Sequence, residues 1–599
     1  MKHILIPVVL VLIAASCQVK PKEKTWKPVE GPLLTQWADD VNPGSVLPEY
    51  PRPQMVRDEW INLNGLWDYA IVPAENNKPK KYDGKILVPF CPESALSGVG
   101  KSVGPDNRLW YRRTFEMPAE WAEKLIMLNF GASDWETTVW INGTEVGSHK
   151  GGYDAFTLDI TEALKSKGRQ EIIVSVWDPV DQGTQPRGKQ VLNPGGIWYT
   201  SVTGIWQTVW LEPLNKDHIK SINIIPDIDN NQVTIVAELS EEVSKGHVLD
   251  AIISKQGHLI SEEVSELNYV VLQLSDPILW TPEYPYLYDL RLNLIRQDGV
   301  IADSIDGYFG MRKISLGKDD KGYTRMMLND EFVFQFGPLD QGWWPDGLYT
   351  APTDEALKYD IEVTKKLGFN MARKHVKAEP DRWYFWCDQL GLLVWQDMPS
   401  GDAFIGGDDP DINRTEESEK QYRFELREMI LDRFSHPSII VWVPFNEGWG
   451  QFKTGEIVDY IREIDTTRLV NPTSGWTDRS VGDIRDVHAY PGPAMPEPEK
   501  ERAIVLGEFG GLGLPLEGHT WQDKDNWGYK SFNSQEKLLE AYTGLINELM
   551  PMVGKGLSAA VYTQTTDVEI EVNGLMTYDR AVIKMDAEKL KKINRGYQR

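Results

Sequence analysis

Between about residue 47 and residue 213 the chain alternates apolar and polar positions in short runs broken by Gly, Pro and Asp. The runs LIMLNF (125–130), TTVWI (137–141), IIVSVW (172–177) and WQTVWLE (206–212) each predict a strand, because successive side chains on an extended chain face opposite sides. Asn142-Gly143, set between two such patterns, is a strong hairpin signal. With no long helical period in it, the stretch 47–213 predicts a jelly-roll β-sandwich. A second β-rich stretch, 214–313, holds VTIVA (233–237) and the clear alternation LYDLRLNL (287–294). Its length and spacing predict an immunoglobulin-like β-sandwich without the Cys-Trp-Cys signature.

From residue 314 the pattern changes to buried-strand runs separated by helical periods. Strands are expected at 332–336, 369–373, 392–396, 439–445, 469–471, 486–489, 503–507 and 557–562. Helices are expected at 353–367, 380–390, 416–434, 453–464 and 535–550, the first two stopped by Gly368 and Gly391. Eight strands in this grammar close naturally into a (β/α)8 TIM barrel over 314–599.

Two of the strand runs end in a glutamate. IIVWVPFNEGWG (439–450) delivers Asn446-Glu447 followed by Trp449, and AIVLGEFGG (503–511) delivers Glu508. A lone strand-Asn-Glu-Gly ending is equally readable as an exposed loop. Two endings in one parallel barrel bring both carboxylates to the same face, where glycoside hydrolysis needs one protonated acid and one ionised carboxylate. The 23 tryptophans fit a carbohydrate ligand, since indole faces stack on sugar C–H surfaces, although a Trp-rich core would also use them. The net charge of −26 speaks against nucleic acid and anionic membrane surfaces as partners.

The three cysteines, Cys17, Cys91 and Cys387, form neither a disulfide framework nor a zinc spacing. Lys2, the apolar run 4–13 and Ala14-Ala15-Ser16 before Cys17 read as a secretory signal ending in a lipobox-like site. The expectation is an exported lipoprotein, periplasmic or outer-membrane-anchored. Residues 1–17 would be leader and lipidation site, 18–46 a flexible tether, and the lipid the sole membrane contact.

The order of the three domains, with glutamates after strands four and seven, resembles glycoside hydrolase family 2, which contains β-galactosidases, β-glucuronidases and β-mannosidases. The resemblance covers essentially the whole mature chain. It rests on LWYRR (109–113), VWING (139–143), GIWQTVWLE (204–212), NMARKH (370–375), Asn446-Glu447 and Gly507-Glu508. It implies a retaining double displacement, with Glu447 as acid/base and Glu508 as nucleophile, their carboxyl groups about 5–5.5 Å apart. It further implies that Asn446 donates to the sugar 2-OH, that Arg373 steadies the nucleophile, and that His375, His488, Tyr490 and Trp449 line the subsite, Tyr490 as a partner of Glu508. Asp397, in the mannosidase-like phrase WQDM, is expected to bind a hydroxyl.

The strand-one exit, GPLDQGWWPD (337–346), departs from the Asn-Arg-His-Glu-like phrase of better-known members. Asp340, Trp343 and Trp344 are expected to touch substrate instead. Gln564 is expected to join them from the strand-eight exit, where Asp567 and Glu569 would form an acidic wall. The Asn-x-Lys pair that β-glucuronidases use to grip a uronic carboxylate has no counterpart visible in the sequence. The expected substrate is therefore an oligosaccharide ending in a neutral sugar, galactose first. A glucuronidase, mannosidase or arabinosidase of the same family, or a non-catalytic surface glycan-binding lipoprotein, is the alternative. Some family members use magnesium near the acid, but no copied ligand set is visible, so no cofactor or metal is expected to be required. Family members are often dimers or tetramers, and a homo-oligomer is open here.

Overall fold

The computed structural model describes residues 26–31, 33–76, 78–240 and 246–596. The expected signal and Cys17, the expected lipidation site, lie outside the described residues. The first domain is a sandwich. A six-stranded antiparallel sheet (Gly84–Val88, Gly65–Pro73, Asn107–Phe115, Gln170–Trp177, Glu136–Ile141, Thr144–Lys150) faces a four-stranded one (Ile61–Asn62, Val209–Leu214, Leu125–Phe130, Phe156–Asp159). Alternation does the sorting. Ile172, Val174 and Val176 enter the inter-sheet core with Leu109, Tyr111, Val139 and Leu211, while Ile173 packs on the other face beside Trp110. Asn142 and Gly143 both take positive φ, 52° and 90°, as the tightest hairpin turns require. The second domain packs a three-stranded sheet (Ile219–Asp227, Gln232–Leu239, Tyr269–Gln273) on a four-stranded one (His258–Ser265, Val248–Lys255, Tyr288–Ile295, Ile301–Phe309).

The third domain is a near-closed barrel of eight parallel strands. In chain order these are β1 (Gln335–Asp340), β2 (Met371–Lys374), β3 (Leu393–Asp397), β4 (Ile439–Val443), β5 (Leu469–Val470), β6 (Ile484–Ala489), β7 (Ala503–Gly510) and β8 (Leu557–Thr563). The seam between β5 and β6 is bridged by Asp483 N–H donating to Val470 O at 2.9 Å and Asn471 Nδ2 donating to Asp486 Oδ2 at 2.7 Å. Helices α1 (Asp354–Lys366), α2 (Asp381–Leu390), α3 (Glu416–Asp432), α4 (Thr454–Ile464) and α5 (Gln535–Val553) match the expected positions, and α6 (Ala587–Asn594) is an addition. Among the described residues, no helix is long and apolar enough to cross a membrane.

Two expectations need correction. Strand β1 lies three residues beyond its expected start, because 331–332 pair instead in a small antiparallel sheet with Ile314–Lys318 and Thr324–Leu328. That sheet plugs the barrel floor, burying Ile314, Met326 and Leu328 against Leu339, Met371, Val441 and Val561. The tether is also wrong over 33–46. Leu33 and Trp37 are buried in the barrel's core, Val41 and Val46 against the first sandwich, and Thr35 Oγ1 donates to Asp346 Oδ2 at 2.6 Å. Large apolar side chains spaced along this segment make it a strap across two domains.

Candidate active site

Glu447 stands just past β4 with φ +51°, a left-handed conformation that costs a non-glycine residue about 1–3 kcal/mol. Its backbone N–H donates to Ser474 O at 2.8 Å, which fixes the turn. Gly475 opposite has φ +114°, and a Cβ there would sit 3.3 Å from Glu447 Cγ, so the site requires glycine. Gly507, just before Glu508, is equally constrained. A Cβ there would meet the Asp486 carboxylate at 2.2 Å, and its N–H donates to Asp486 Oδ1 at 2.7 Å.

Arg373, at the exit of β2, is fully buried. Its Nε and Nη2 donate to Asp397 Oδ1 and Oδ2 at 3.0 and 2.8 Å. Nη2 also donates to Asn446 Oδ1 at 2.7 Å, and Nη1 to Glu508 Oε1 at 3.1 Å and Gly507 O at 3.2 Å. Asn446 is thereby oriented with its Nδ2 left without a protein partner, the free donor expected for a sugar hydroxyl. Tyr490 donates to Glu508 Oε2 at 2.6 Å and shares a 2.7 Å bond with Thr563, its ring stacked on Tyr529 at 3.8 Å.

Burial raises the pKa of Glu508, but the charges of His488, His375 and Arg373 outweigh it and hold the carboxyl down at about 2. Burial and the neighbouring Lys189 charge, however, push His375 itself well below its ordinary value. His375 is therefore neutral, and the cations acting on Glu508 are His488 and Arg373. Neutral His375 donates Nδ1–H to Asp397 Oδ2 at 3.0 Å, leaving Nε2 as an acceptor.

His488 departs from the expected sugar contact, because both its nitrogens are engaged. Nδ1 lies 2.8 Å from Glu447 Oε1 and 3.6 Å from Glu508 Oε2. Nε2 lies 2.8 Å from Ser474 Oγ, whose own proton goes to Asp486 Oδ2 at 2.6 Å. Nε2 therefore carries a hydrogen, and one proton is shared between Glu447 and Nδ1. Burial disfavours the imidazolium, but the Glu508, Glu447 and Asp486 carboxylates overcome this and raise its pKa.

Other expected contacts are structural. Trp343 and Trp344 are only 1% and 2% exposed. Trp343 packs on Tyr349 and Tyr199, and Trp344 lies under Arg580 at 3.9 Å, so neither ring is free to stack on sugar. Asp397 is saturated by Arg373 and His375. Asp340 is paired with Lys374 at 2.9 Å and accepts from Gly342 N–H, which takes its oxygens out of the pocket. Gln564 is buried and accepts from Gln341 Nε2 at 2.7 Å, its own Nε2 lacking a protein partner. Asp567 pairs with Lys584 at 2.6 Å, and Glu569 accepts from Thr200 N–H at 2.8 Å. The acidic wall is thus committed to internal bonds. Trp449 does stand at the mouth, 4.8 Å from Trp198 and bridged to the exposed Phe404.

Sequence reading missed the first sandwich's contribution. Its loop between 178 and 200 brings Lys189, Trp198 and Tyr199 over the barrel, where Tyr199 donates to Glu571 Oε2. The signal was RGKQVLNPGGIWYT (187–200), a Gly/Pro loop with clustered Trp, Tyr and Lys, the usual composition of a functional loop. Glu447, His488 and Glu508 each bring one donor atom within 4.8 Å of the others. This set does not fit magnesium, which favours an octahedron of oxygens, because Arg373 and Tyr490 already occupy Glu508 and an imidazole nitrogen sits between the acids.

Family models match three consecutive segments: the sugar binding domain of glycosyl hydrolases family 2 over 99–212, the family's middle domain over 217–312, and its TIM barrel domain over 351–595. The chain belongs to glycosyl hydrolases family 2. A β-galactosidase of Thermoanaerobacter pseudethanolicus is 28% identical over 69% of this chain and 55% of its own length. A β-glucuronidase of Paenibacillus borealis is 24% identical over 71% of this chain and 73% of its own. The chain spans about half the length of the first curated relatives it matches. The fold is that of a Ruminococcus gnavus β-glucuronidase solved with D-glucuronic acid, with a TM-score of 0.71 at 19% identity over 92% of this chain and 99% of that one. Within glycosyl hydrolases family 2, the glutamates of this chain stand at the exits of barrel strands four and seven, the face on which TIM-barrel sites are built.

Proposed function

We propose that this chain is a retaining exo-β-glycosidase acting on oligosaccharides at the cell envelope. The observation that carries the reading is that one carboxylate oxygen of Glu447 lies within 4.8 Å of one of Glu508, an approach that supports the carboxyl separation of about 5–5.5 Å used by retaining enzymes. Glu508, held ionised, attacks the anomeric carbon. The bond to the leaving oxygen breaks, and Glu447 supplies the proton that oxygen takes. Asn446 Nδ2 donates to the 2-hydroxyl as charge develops at the ring. Water then enters, gives its proton to Glu447 and displaces Glu508. His488, hydrogen-bonded to Glu447 through Nδ1, orients that carboxyl to give its proton in the first half-reaction and to take water's in the second.

The relatives include β-galactosidases and β-glucuronidases in comparable standing, so neutral galactosides have no priority over uronides on that ground. Hydrolysis of aryl β-galactoside, β-glucuronide, β-glucoside, β-mannoside and arabinosides is the direct test, with Glu508→Ala as the blank. Turnover of one member with retention at the anomeric carbon, reduced at least about 10⁴-fold in the variant, is the expected result. Inversion would overturn the double displacement, and silence with every member would count against the hydrolase.

A further inference from the structure

No step above uses Lys189. It lies on the sandwich loop, is only 5% exposed, and is held by its neighbours: Arg187 and Gly188 N–H both donate to Ser400 O at 2.8 Å, and Lys189 O accepts from Tyr199 N–H at 3.0 Å. A Cβ on Gly188 would come within 2.5 Å of Val376 O, which shows how tightly the loop is pressed on the exit of β2 beside His375. The ammonium sits 5.5 Å from the centroid of the Tyr199 ring, and that tyrosine holds Glu571. The contact of the loop with Val376 and the approach of the ammonium to Tyr199, which holds Glu571, set the side chain between the exit of β2 and Glu571.

The other buried lysines of the barrel mouth are saturated. Lys374 binds Asp340 and Glu379, Lys377 binds Glu379 with two carbonyls, and Lys584 binds Asp567 and a carbonyl. Lys189 has no ion pair or hydrogen bond from its Nζ among the described residues. A cation with so little exposure is costly unless an anion or an acceptor meets it, and among the described residues it meets only the ring of Tyr199 and, without direct pairing, the charge of Glu571.

We infer that Lys189 reads a carboxylate on the sugar bound above Glu508, so that the terminal residue of the glycan is a uronic acid. This rests on the glycosidase reading for its site but not for its test. The cation comes from the sandwich, which explains why a search of the barrel for a carboxylate clamp finds none. It also sets aside the expectation of a neutral terminal sugar.

The test is binding of aryl β-D-glucuronide, β-D-galacturonide and β-D-galactoside by calorimetry, on Glu508→Gln to prevent turnover, with and without Lys189→Met. At least one uronide is expected to bind about tenfold tighter than the galactoside. Lys189→Met should weaken that uronide roughly 10- to 100-fold while changing the galactoside less than about twofold. Lys189→Arg, which keeps the charge, should retain most of the preference, and unaltered melting of both variants certifies the fold. A galactoside bound as tightly as either uronide, or equal losses for both classes in Lys189→Met, would overturn the inference. Lys189-dependent uronide binding without hydrolysis of any aryl glycoside by the wild type would uphold it and remove the hydrolase reading instead.

Discussion

The five side-chain hydrogen bonds of Arg373 tie Asp397, Asn446 and Glu508 into one rigid unit, so the position of the Glu508 carboxylate is set by a residue that never needs to touch sugar. His488 is the complementary mobile charge. Its ring faces Glu447, Glu508 and, through Ser474, Asp486, with Trp476 edge-on at 5.8 Å and the Arg373 and His375 side chains across the pocket. Because its pKa is raised, its proton is present at low pH and lost as pH rises through the folded value. His488→Asn should lower kcat about 10- to 100-fold and flatten the alkaline limb of the kcat/KM profile, whereas a merely structural role would lower the whole profile without reshaping it. The placement of the two glutamates was legible in the sequence because two all-apolar strand runs of one barrel each lead into a carboxylate, which a single such ending would not have decided. Trp343 and Trp344 were misread because a Trp-Trp pair after a strand looks the same whether it stacks on a ligand or on Tyr349 and Arg580. The shared proton of Glu447 and His488 was illegible, as it depends on residues far apart in the chain.

At the scale of elements, strand β7 shows how a short apolar run becomes a catalytic support. All eight of its residues are buried, and the absent side chain of Gly507 lets β6 bring Asp486 against its backbone. Gly507→Ala would force that carboxylate away, breaking its bonds to Gly507, Ser474 and Asn471 together. We expect a loss of about 1–3 kcal/mol in urea unfolding, with kcat falling even where the variant folds. The barrel's strands and helices were readable from their periods, within a few residues at each end. β1 was displaced because Gly337-Pro338 resembles a strand exit, yet Gly337 lies inside the strand, where a Cβ would meet Met371 O at 1.7 Å. The 187–200 loop has no period to read, and its role became visible only once it lay across the barrel.

Over the whole molecule, the first sandwich and the barrel share a buried carboxyl. Glu425 on α3 accepts from Trp135 Nε1 of the sandwich at 3.2 Å and from Gln421 at 2.7 Å. Burial, aided by the nearby Asp154 charge, pushes its pKa up to about 8. For an acid whose folded value is raised from 4.5, the stabilising contribution is complete below about pH 4.5 and declines as pH rises to about 8. Glu425→Gln keeps an acceptor for Trp135 and Gln421 but cannot ionise. Its melting temperature should exceed that of wild type at pH 8 and match it near pH 5, as scanning calorimetry would show. The domain order was legible because the periods change at each border, but the strap over 33–46 was not, since its few large apolar residues sit among polar ones.

The sandwich loop over the barrel bears on inheritance. A barrel gene cut free of its amino-terminal partner would keep Glu447 and Glu508 but lose Lys189, Trp198 and Tyr199 from the loop over the barrel. Selection on sugar choice could then act through exon-sized exchanges of the sandwich alone, leaving the chemistry untouched, and lineages sharing one barrel could diverge in diet by trading the module beside it.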